Sequence, residues 1–224
     1  MRKHFLLILF FVSTTVFSLD INGTTWGPEK SGFGYYLKFI TEKNFEFAFS
    51  GEGGGQYAKG TYTVKDNEVM LNVIMFTEWG ELPAYITQKN VKCAIVETDS
   101  VFSKYKLVGN GGLELWSLNH KQDQGKKCII GRFVIYAYQT DGKVTENARI
   151  RSGPGLQYTS YSFSIDEDQP ILYSLPKGHG IKIYGYSEDK TIVDGVEMPW
   201  YYCSFRSMWE EQFGWIWGGL IDMR

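Results

Sequence analysis

Histidine and cysteine, the residues that most often carry acid–base, nucleophilic or metal chemistry, are scarce in this chain. The 224 residues include three of each. A cysteine peptidase needs a thiol beside an oriented base, and a zinc site needs three or four His, Cys or carboxylate ligands at suitable spacings. His120 lies in a polar stretch and His179 in a Lys-Gly turn, and neither is grouped with a cysteine. We therefore predict no catalytic residue, no metal site and no cofactor.

Carboxylates are the remaining candidates for catalysis, and the chain has 25 of them. A glycosidase uses two carboxyl groups on either side of the scissile bond. Nothing in the placement of the acidic residues singles out two of them. We expect a non-enzymatic protein and keep a cell-wall hydrolase of unfamiliar type as an alternative.

The first 18 residues have the pattern of a secretory signal peptide. Residues 1–4 give a basic start with Arg2 and Lys3, residues 5–12 are apolar, and small residues lead to an expected cleavage after Ser18. The apolar run is shorter than the roughly 20 residues that cross a bilayer, and an uncleaved anchor is the alternative. We expect an exported protein, periplasmic or at the cell surface, with no membrane-spanning segment after cleavage.

Export makes disulfides possible for Cys93, Cys128 and Cys203. Three is an odd number, so at least one thiol is free or pairs with another chain. Cys203 follows the aromatic residues 200–202, where a small core residue fits. We predict that Cys93 pairs with Cys128, and a fully reduced protein is the alternative.

Short runs of β-branched and aromatic residues, separated by Gly, Asn and Asp, fill the first half of the exported chain. Phe45, Phe47 and Phe49 alternate with other residues and so lie on one face of a strand. The tripeptides 65–67 and 110–112 predict tight turns. We predict strands at 35–40, 44–50, 56–64, 69–76, 91–97, 101–108 and 113–118. Seven or eight short antiparallel strands must protect their edges, and closure into a meander barrel is the commonest way to do so.

The start of this region, Ile-Asn-Gly-Thr-Thr-Trp at 21–26, resembles the Gly-x-x-Trp opening of lipocalin-like domains. Trp26 stands one residue later than in the usual Gly-x-Trp form. The resemblance covers 19–118 and implies a small barrel that either holds a ligand or is filled by its own side chains. Residues 119–128 are the predicted linker. The strand-like run 129–138 either closes the barrel or opens the second domain, for which we predict the bounds 129–224.

Four motifs follow in the second domain. They are Ala-Arg-Ile-Arg-Ser-Gly-Pro-Gly from Ala148, Leu-Pro-Lys-Gly-His-Gly-Ile-Lys-Ile from Leu175, Trp-Tyr-Tyr-Cys from Trp200 and Gly-Trp-Ile-Trp from Gly214. Their order resembles the bacterial SH3 domain family, whose members read Leu-x-Val-Arg-Ser-Gly-Pro, a Lys-Gly turn, Trp-Tyr-x-Val and Gly-Trp-Val. The resemblance implies a small SH3-like barrel and places Cys203 where the family has an inward Val.

In an SH3-type barrel, long loops flank the groove that receives the ligand, and the corresponding loops are lengthened in this chain. The lengthened loops are therefore candidates for determining which ligand binds. The alternative is that they are solvated loops that bind no ligand. The resemblance places Trp200 and Trp215 in the core or groove wall. Trp209 and Trp217 fall outside the minimal motif and are candidates for exposed stacking. The predicted ligand contacts are Tyr158, Tyr161, Trp209 and Trp217 as apolar surfaces, with Asp166, Glu167 and Asp168 as an acidic rim that selects basic groups.

The net charge of the chain indicates which kinds of partner it binds. The whole chain has a net charge of −2, which argues against a sequence-independent grip on nucleic acid. Residues 144–224 contain seven basic and eleven acidic side chains, while 19–143 are neutral overall. We predict an all-β envelope protein, a lipocalin-like antiparallel meander barrel followed by an SH3-like barrel, that binds a cell-wall peptide or an envelope protein. A carrier of a small apolar ligand in the first barrel is the further alternative.

Overall fold

The computed structural model describes residues 19–30, 34–50, 55–76, 88–165, 171–207 and 210–223. The predicted signal peptide and the predicted contacts Asp166, Glu167, Asp168 and Trp209 lie outside the described residues. Within the described ranges every element is a β-strand or a short 3-10 turn, which confirms the all-β prediction. No helix in this part of the chain has the length and apolar character needed to cross a membrane.

The first unit is a closed antiparallel barrel, as predicted. Its strands are β1 (Thr25–Gly27), β2 (Gly34–Phe39), β3 (Asn44–Ser50), β4 (Gly55–Lys65), β5 (Glu68–Phe76), β6 (Asn90–Glu97), β7 (Tyr105–Gly109) and β8 (Glu114–Ser117). Each strand pairs with the next, and β8 pairs with β1. This closure leaves no unpaired edge strand in the meander.

Local sequence explains the hairpins of the barrel. Asp66 and Asn67, between β4 and β5, have φ angles of +51° and +64°. Two consecutive left-handed residues match the right-handed twist of the flanking strands, and Asp and Asn tolerate that conformation. A 3-10 turn at Asn110–Gly112 joins β7 to β8. Both turns stand where the sequence predicts them.

The interior of the barrel is packed with the chain's own side chains. Phe45 and Phe47 of β3 are fully buried beside Trp26, whereas Phe49 is half-buried and lies 5.1 Å from the Tyr35 ring. The Trp26 indole donates a 2.8 Å hydrogen bond to the Thr24 hydroxyl, so its polar atom is satisfied. An eight-stranded barrel is just wide enough for side chains to fill. These side chains fill the barrel around β3, and a cavity of about 280 Å³ is lined by Leu19, Ile95 and Tyr105 of the same core.

A curled antiparallel sheet forms the second unit. Its strands are β9 (Lys127–Ile130), β10 (Phe133–Val144), β11 (Gly180–Val193), β12 (Val196–Arg206), β13 (Glu211–Trp217) and β14 (Ile221–Met223). The order is β13-β12-β11-β10-β14, with β9 on β10. Arg151 exchanges two backbone hydrogen bonds with Trp215, of 3.0 and 2.9 Å, and so ties the segment between β10 and β11 to β13. The sheet curls around a core that includes Ile150, Ile183 and Cys203.

The predicted linker is held to both units. Its Gln122 is buried and donates hydrogen bonds of 3.0 and 2.9 Å to the carbonyl oxygens of Thr98 and Ser100 in the first unit. The amide of Gly125 donates to Ala137 in the second unit. β9 already begins at Lys127, and the run 129–138 becomes two strands joined at Gly131, which has a φ of +59°. This run therefore opens the second sheet.

The predicted disulfide between Cys93 and Cys128 is not formed, and all three cysteines are free and buried. Cys93 lies in the barrel interior, Cys128 in a cluster between the two units, and Cys203 in the core of the second sheet. Each thiol therefore serves as a small apolar side chain in a different cluster. Burial raises the pKa of Cys93 to about 12 and that of Cys128 to about 11.

Candidate functional site

A band of aromatic rings crosses one face of the second sheet. The Trp215 ring lies 5.7 Å from Phe133 on one side and 5.3 Å from Tyr202 on the other. Phe133 meets Tyr158 edge-on at 5.3 Å, and Tyr202 meets Phe102 of the first unit at 6.2 Å. Such offset and edge-on arrangements stabilise aromatic pairs beyond the burial of area alone. The band therefore runs from the protein surface to the boundary between the two units.

The surface end of this band is a cation-capped aromatic pair that we call the aromatic platform, formed by Arg132, Phe133 and Tyr158. The Arg132 guanidinium carbon lies 5.3 Å from the centre of the Phe133 ring and 5.7 Å from that of Tyr158. Arg132 is exposed, and the two rings are half-buried. The platform thus offers ring surface and a positive charge together.

Residues N-terminal to Tyr158 hold its ring in place. The Arg151 guanidinium donates hydrogen bonds of 3.0 and 2.7 Å to the carbonyl oxygens of Leu156 and Tyr158. At Gly153 a Cβ atom would stand 2.6 Å from the Tyr158 ring and 2.8 Å from the Phe133 ring, so only glycine permits this packing. The Arg-Ser-Gly motif therefore shapes the loop that positions Tyr158.

Two other predicted contacts stand apart from the platform. Tyr161 is 42% exposed and packs beside Gly214 of β13. Trp217 is half-buried and its indole donates a 3.0 Å hydrogen bond to the Thr191 carbonyl, so its ring is less available for stacking than we expected. Trp200 is buried in the cluster between the units. Of the predicted contacts that are described, Tyr158 alone belongs to the platform.

Sequence reasoning missed Arg132 and Phe133. Arg132 follows Gly131 in the hairpin turn between β9 and β10, and Phe133 is the first residue of β10, inside a run that we took for one strand. The dipeptide is separated from Tyr158 by 24 intervening residues. The two meet at β13, because Phe133 packs on Trp215, and Arg151, which holds the Tyr158 loop, bonds to the Trp215 backbone. The available signal was Gly131, a glycine inside an apolar run and directly before an arginine and an aromatic residue, which could have indicated a turn there. The charge found here is positive, and the predicted acidic rim lies outside the described residues.

The inner end of the band is the Phe102 side chain, which the first unit inserts into the second. Its ring meets Tyr184 at 4.7 Å and Phe213 at 5.6 Å, both edge-on. The neighbouring Val101 is 1% exposed in the same cluster. Gln139 of β10 donates hydrogen bonds to the carbonyl oxygens of Val101 and Phe102, at 2.6 and 3.2 Å. Residues 101 and 102 therefore form an apolar knob that anchors one unit on the other.

Ser117 and His120 have the atom types of a nucleophile and its base. The Ser117 hydroxyl lies 2.7 Å from His120 Nδ1 and also accepts a 3.3 Å hydrogen bond from the His120 backbone amide. Ser117 is 1% exposed, and the imidazole packs against Tyr105 at 5.5 Å. Burial and the nearby Lys104 ammonium lower the pKa of His120. The pair closes a tight turn after β8, which accounts for its geometry without catalysis.

Metal chemistry has no candidate in the described ranges, where no group of three or more His, Cys, Asp or Glu side chains could hold an ion. A comparison of the chain with known proteins found no matching family model, no matching curated protein and no matching solved structure.

Proposed function

We propose that this chain is an exported, non-enzymatic binding protein of the bacterial cell envelope, and that its aromatic platform contacts a cell-wall peptide or an envelope protein. The observation that carries the proposal is the exposed Arg132 guanidinium lying over the rings of Phe133 and Tyr158. Rings held by tertiary contacts bind at low entropic cost, and aromatic and arginine side chains are enriched among the residues that dominate binding energy.

The chemistry of the platform suits a peptide with a carboxylate. A guanidinium can form two parallel hydrogen bonds to a carboxylate, and the faces of the rings can stack on apolar side chains or on proline. Residues 144–224 carry a net −4, which repels large polyanions at long range. The predicted acidic rim would instead select basic groups next to the same loop, so a peptide with both kinds of charge fits both features.

The SH3-like character of the second unit is part of this proposal. It is supported by the burial of the residues that the motifs turn inward, namely Ile150, Ile181, Ile183 and Cys203. It is further supported by the way in which Arg151 bonds to Trp215 and curls the sheet. In such a barrel the ligand groove lies between loops, which is where the platform stands.

The experiment that tests the proposal is capture of ligands by the purified mature chain. Insoluble peptidoglycan and a detergent extract of envelope proteins serve as baits for the wild type and for Tyr158→Ala and Arg132→Gln. We expect each variant to lose about tenfold in affinity, the usual size of a loss at a dominant contact.

Tyr173→Ala is the matched control, because Tyr173 is 68% exposed in the same unit and makes no ring contact among the described residues. It should bind as the wild type does. Thermal unfolding of every variant reports whether the fold is kept. Equal capture by wild type and Tyr158→Ala, or capture of neither bait by the folded wild type, would contradict the proposal.

A further inference from the structure

A second concave site lies between the two units, beside the Phe102 knob. It is a cleft of about 330 Å³ whose walls come from both units. Glu29 and Lys121 line it from the side of the first unit and the linker, and Asp141 and Lys182 line it from β10 and β11. Pockets for small molecules range upwards from about 300 Å³ and are frequent where two domains meet. The cleft therefore has the size for a small ligand.

The charges of the cleft are balanced, and within the described part of the chain they have no ion-pair partner. Each wall contributes one acidic and one basic side chain, and Asp141 stands directly opposite Lys182 across the β10–β11 ladder. Among the described residues none of these four groups forms an ion pair. Seven other lysines of the same ranges do form one. Four charged residues that line one cleft, without ion pairs among the described residues, can serve a ligand that brings charges of its own.

The neutral lining residues Gln139 and Tyr184 are held by hydrogen bonds. The side-chain NH2 group of Gln139 donates hydrogen bonds to the carbonyl oxygens of Val101 and Phe102. The side-chain oxygen of Gln139 remains as an acceptor. The hydroxyl of Tyr184 lies 3.3 Å from that of Ser204, and burial raises the pKa of Tyr184 to about 12, so this phenol is neutral. Neutral hydrogen-bonding groups and the Phe102 ring thus line the cleft together with the four charged residues.

We propose that this cleft binds a small zwitterion, an amino acid or short peptide with a free ammonium and a free carboxylate. A ligand with only a carboxylate would pair with a lysine but would also meet Glu29 and Asp141. A ligand with only an ammonium would meet Lys121 and Lys182. Like charges brought together in a cleft cost free energy, whereas a zwitterion places each charge beside an opposite one. This site is separate from the aromatic platform and does not depend on its function.

The probe is alanyl-alanine, whose two charged ends can be blocked one at a time. N-acetyl-alanyl-alanine lacks the ammonium, and alanyl-alanine amide lacks the carboxylate. Titration calorimetry or amide chemical shifts of the mature chain report binding. We expect the free dipeptide to bind about tenfold more tightly than either blocked form, the scale set by one close charge pair. Equal affinity for all three, or no binding at millimolar concentration, would overturn the proposal.

Charge variants then identify the site. Lys182→Met should weaken binding of the free dipeptide about tenfold and should not weaken binding of the amide form, which has no carboxylate to lose. Asp141→Asn should weaken binding of the free dipeptide and should not weaken binding of the N-acetyl form, which has no ammonium. Lys190→Met, on the same strand but outside the cleft, is the matched control. Equal effects of Lys182→Met and Lys190→Met would overturn the assignment.

The two sites can be tested independently. Tyr158→Ala should leave dipeptide affinity unchanged, because the platform lies outside the residues that line the cleft. If the chain binds the dipeptide but captures neither envelope bait, the cleft proposal stands and the proposed function is wrong. If the chain captures a bait but does not bind the dipeptide, the proposed function stands and the cleft proposal is wrong.

Discussion

At the scale of single residues, each cysteine acts as a small buried side chain and forms no disulfide. The predicted export would make a disulfide possible, yet each thiol lies in a different apolar cluster, where it fills space. Burial stabilises the neutral thiol and raises the pKa of Cys93 from 9.0 to about 12. Phe102, Gln122 and Gln139 make the contacts that join the units and the linker.

These buried thiols predict a loss of stability at alkaline pH. The folded state keeps the Cys93 proton at pH values where the unfolded chain, with a pKa near 9, has lost it. The contribution to stability is therefore complete below pH 9 and falls between pH 9 and about 12, by up to about 1.4 kcal/mol per pH unit for one thiol. Urea unfolding from pH 8 to 11 measures this slope.

Cys93→Val is the control for this prediction, because valine fills a similar space and does not ionise. The variant should lose stability less steeply with rising pH, and the difference should be close to one proton. The prediction is wrong if both proteins show the same slope.

At the scale of elements, the barrel depends on a close approach of β4 to β5. A Cβ atom at Gly60 would stand 2.0 Å from the Asn72 carbonyl oxygen and 2.9 Å from the Phe45 ring. The ladder between β4 and β5 shifts register at this position, between Lys59 and Gly60. Glycine lets a strand bend or approach another backbone closely, which a curved barrel wall requires.

We expect Gly60→Ala to lower the free energy of unfolding by about 3 kcal/mol, because the added methyl group meets backbone that cannot move aside. Gly55→Ala is the matched control at the start of the same strand, where a Cβ would meet nothing within 4 Å. Its effect should be well under 1 kcal/mol. Chemical denaturation compares the two variants, and equal stability would contradict this account of the bend.

At the scale of the whole molecule, the knob at residues 101 and 102 joins the two units. The apolar side chains come from the loop after β6, while the pocket that receives them comes from β11, β12 and β13. Two units joined by a buried apolar contact and by hydrogen bonds should unfold together.

Phe102→Ala tests this coupling. We expect a loss of about 2 kcal/mol, less than for a fully buried phenylalanine because Phe102 is half-buried, and a separation of calorimetric unfolding into two transitions. Phe49→Ala removes another half-buried ring, but from within the barrel, and should lower the melting temperature while keeping a single transition. Two transitions in both variants, or one in both, would show that Phe102 does not couple the units.

Much of the fold was predictable because its signals are local. β3 spans the predicted residues 44–50, since alternating phenylalanines identify both the strand and its buried face. The turns at 65–67 and 110–112 follow from residues that accept a positive φ. The strand predicted at 101–108 begins only at Tyr105, because Val101 and Phe102 are apolar for another reason, namely contact with the second sheet.

The amino-acid sequence by itself determined the strands, their turns and the residues that must be buried, since alternation and turn chemistry act between near neighbours. Only the tertiary structure decided which surfaces meet. Arg132 and Tyr158 form a platform, and Glu29 and Lys182 line one cleft, although each pair is far apart in the chain. The physical reason is that the polarity of a side chain determines whether it is buried. The packing of whole sheets determines which other residues that side chain contacts.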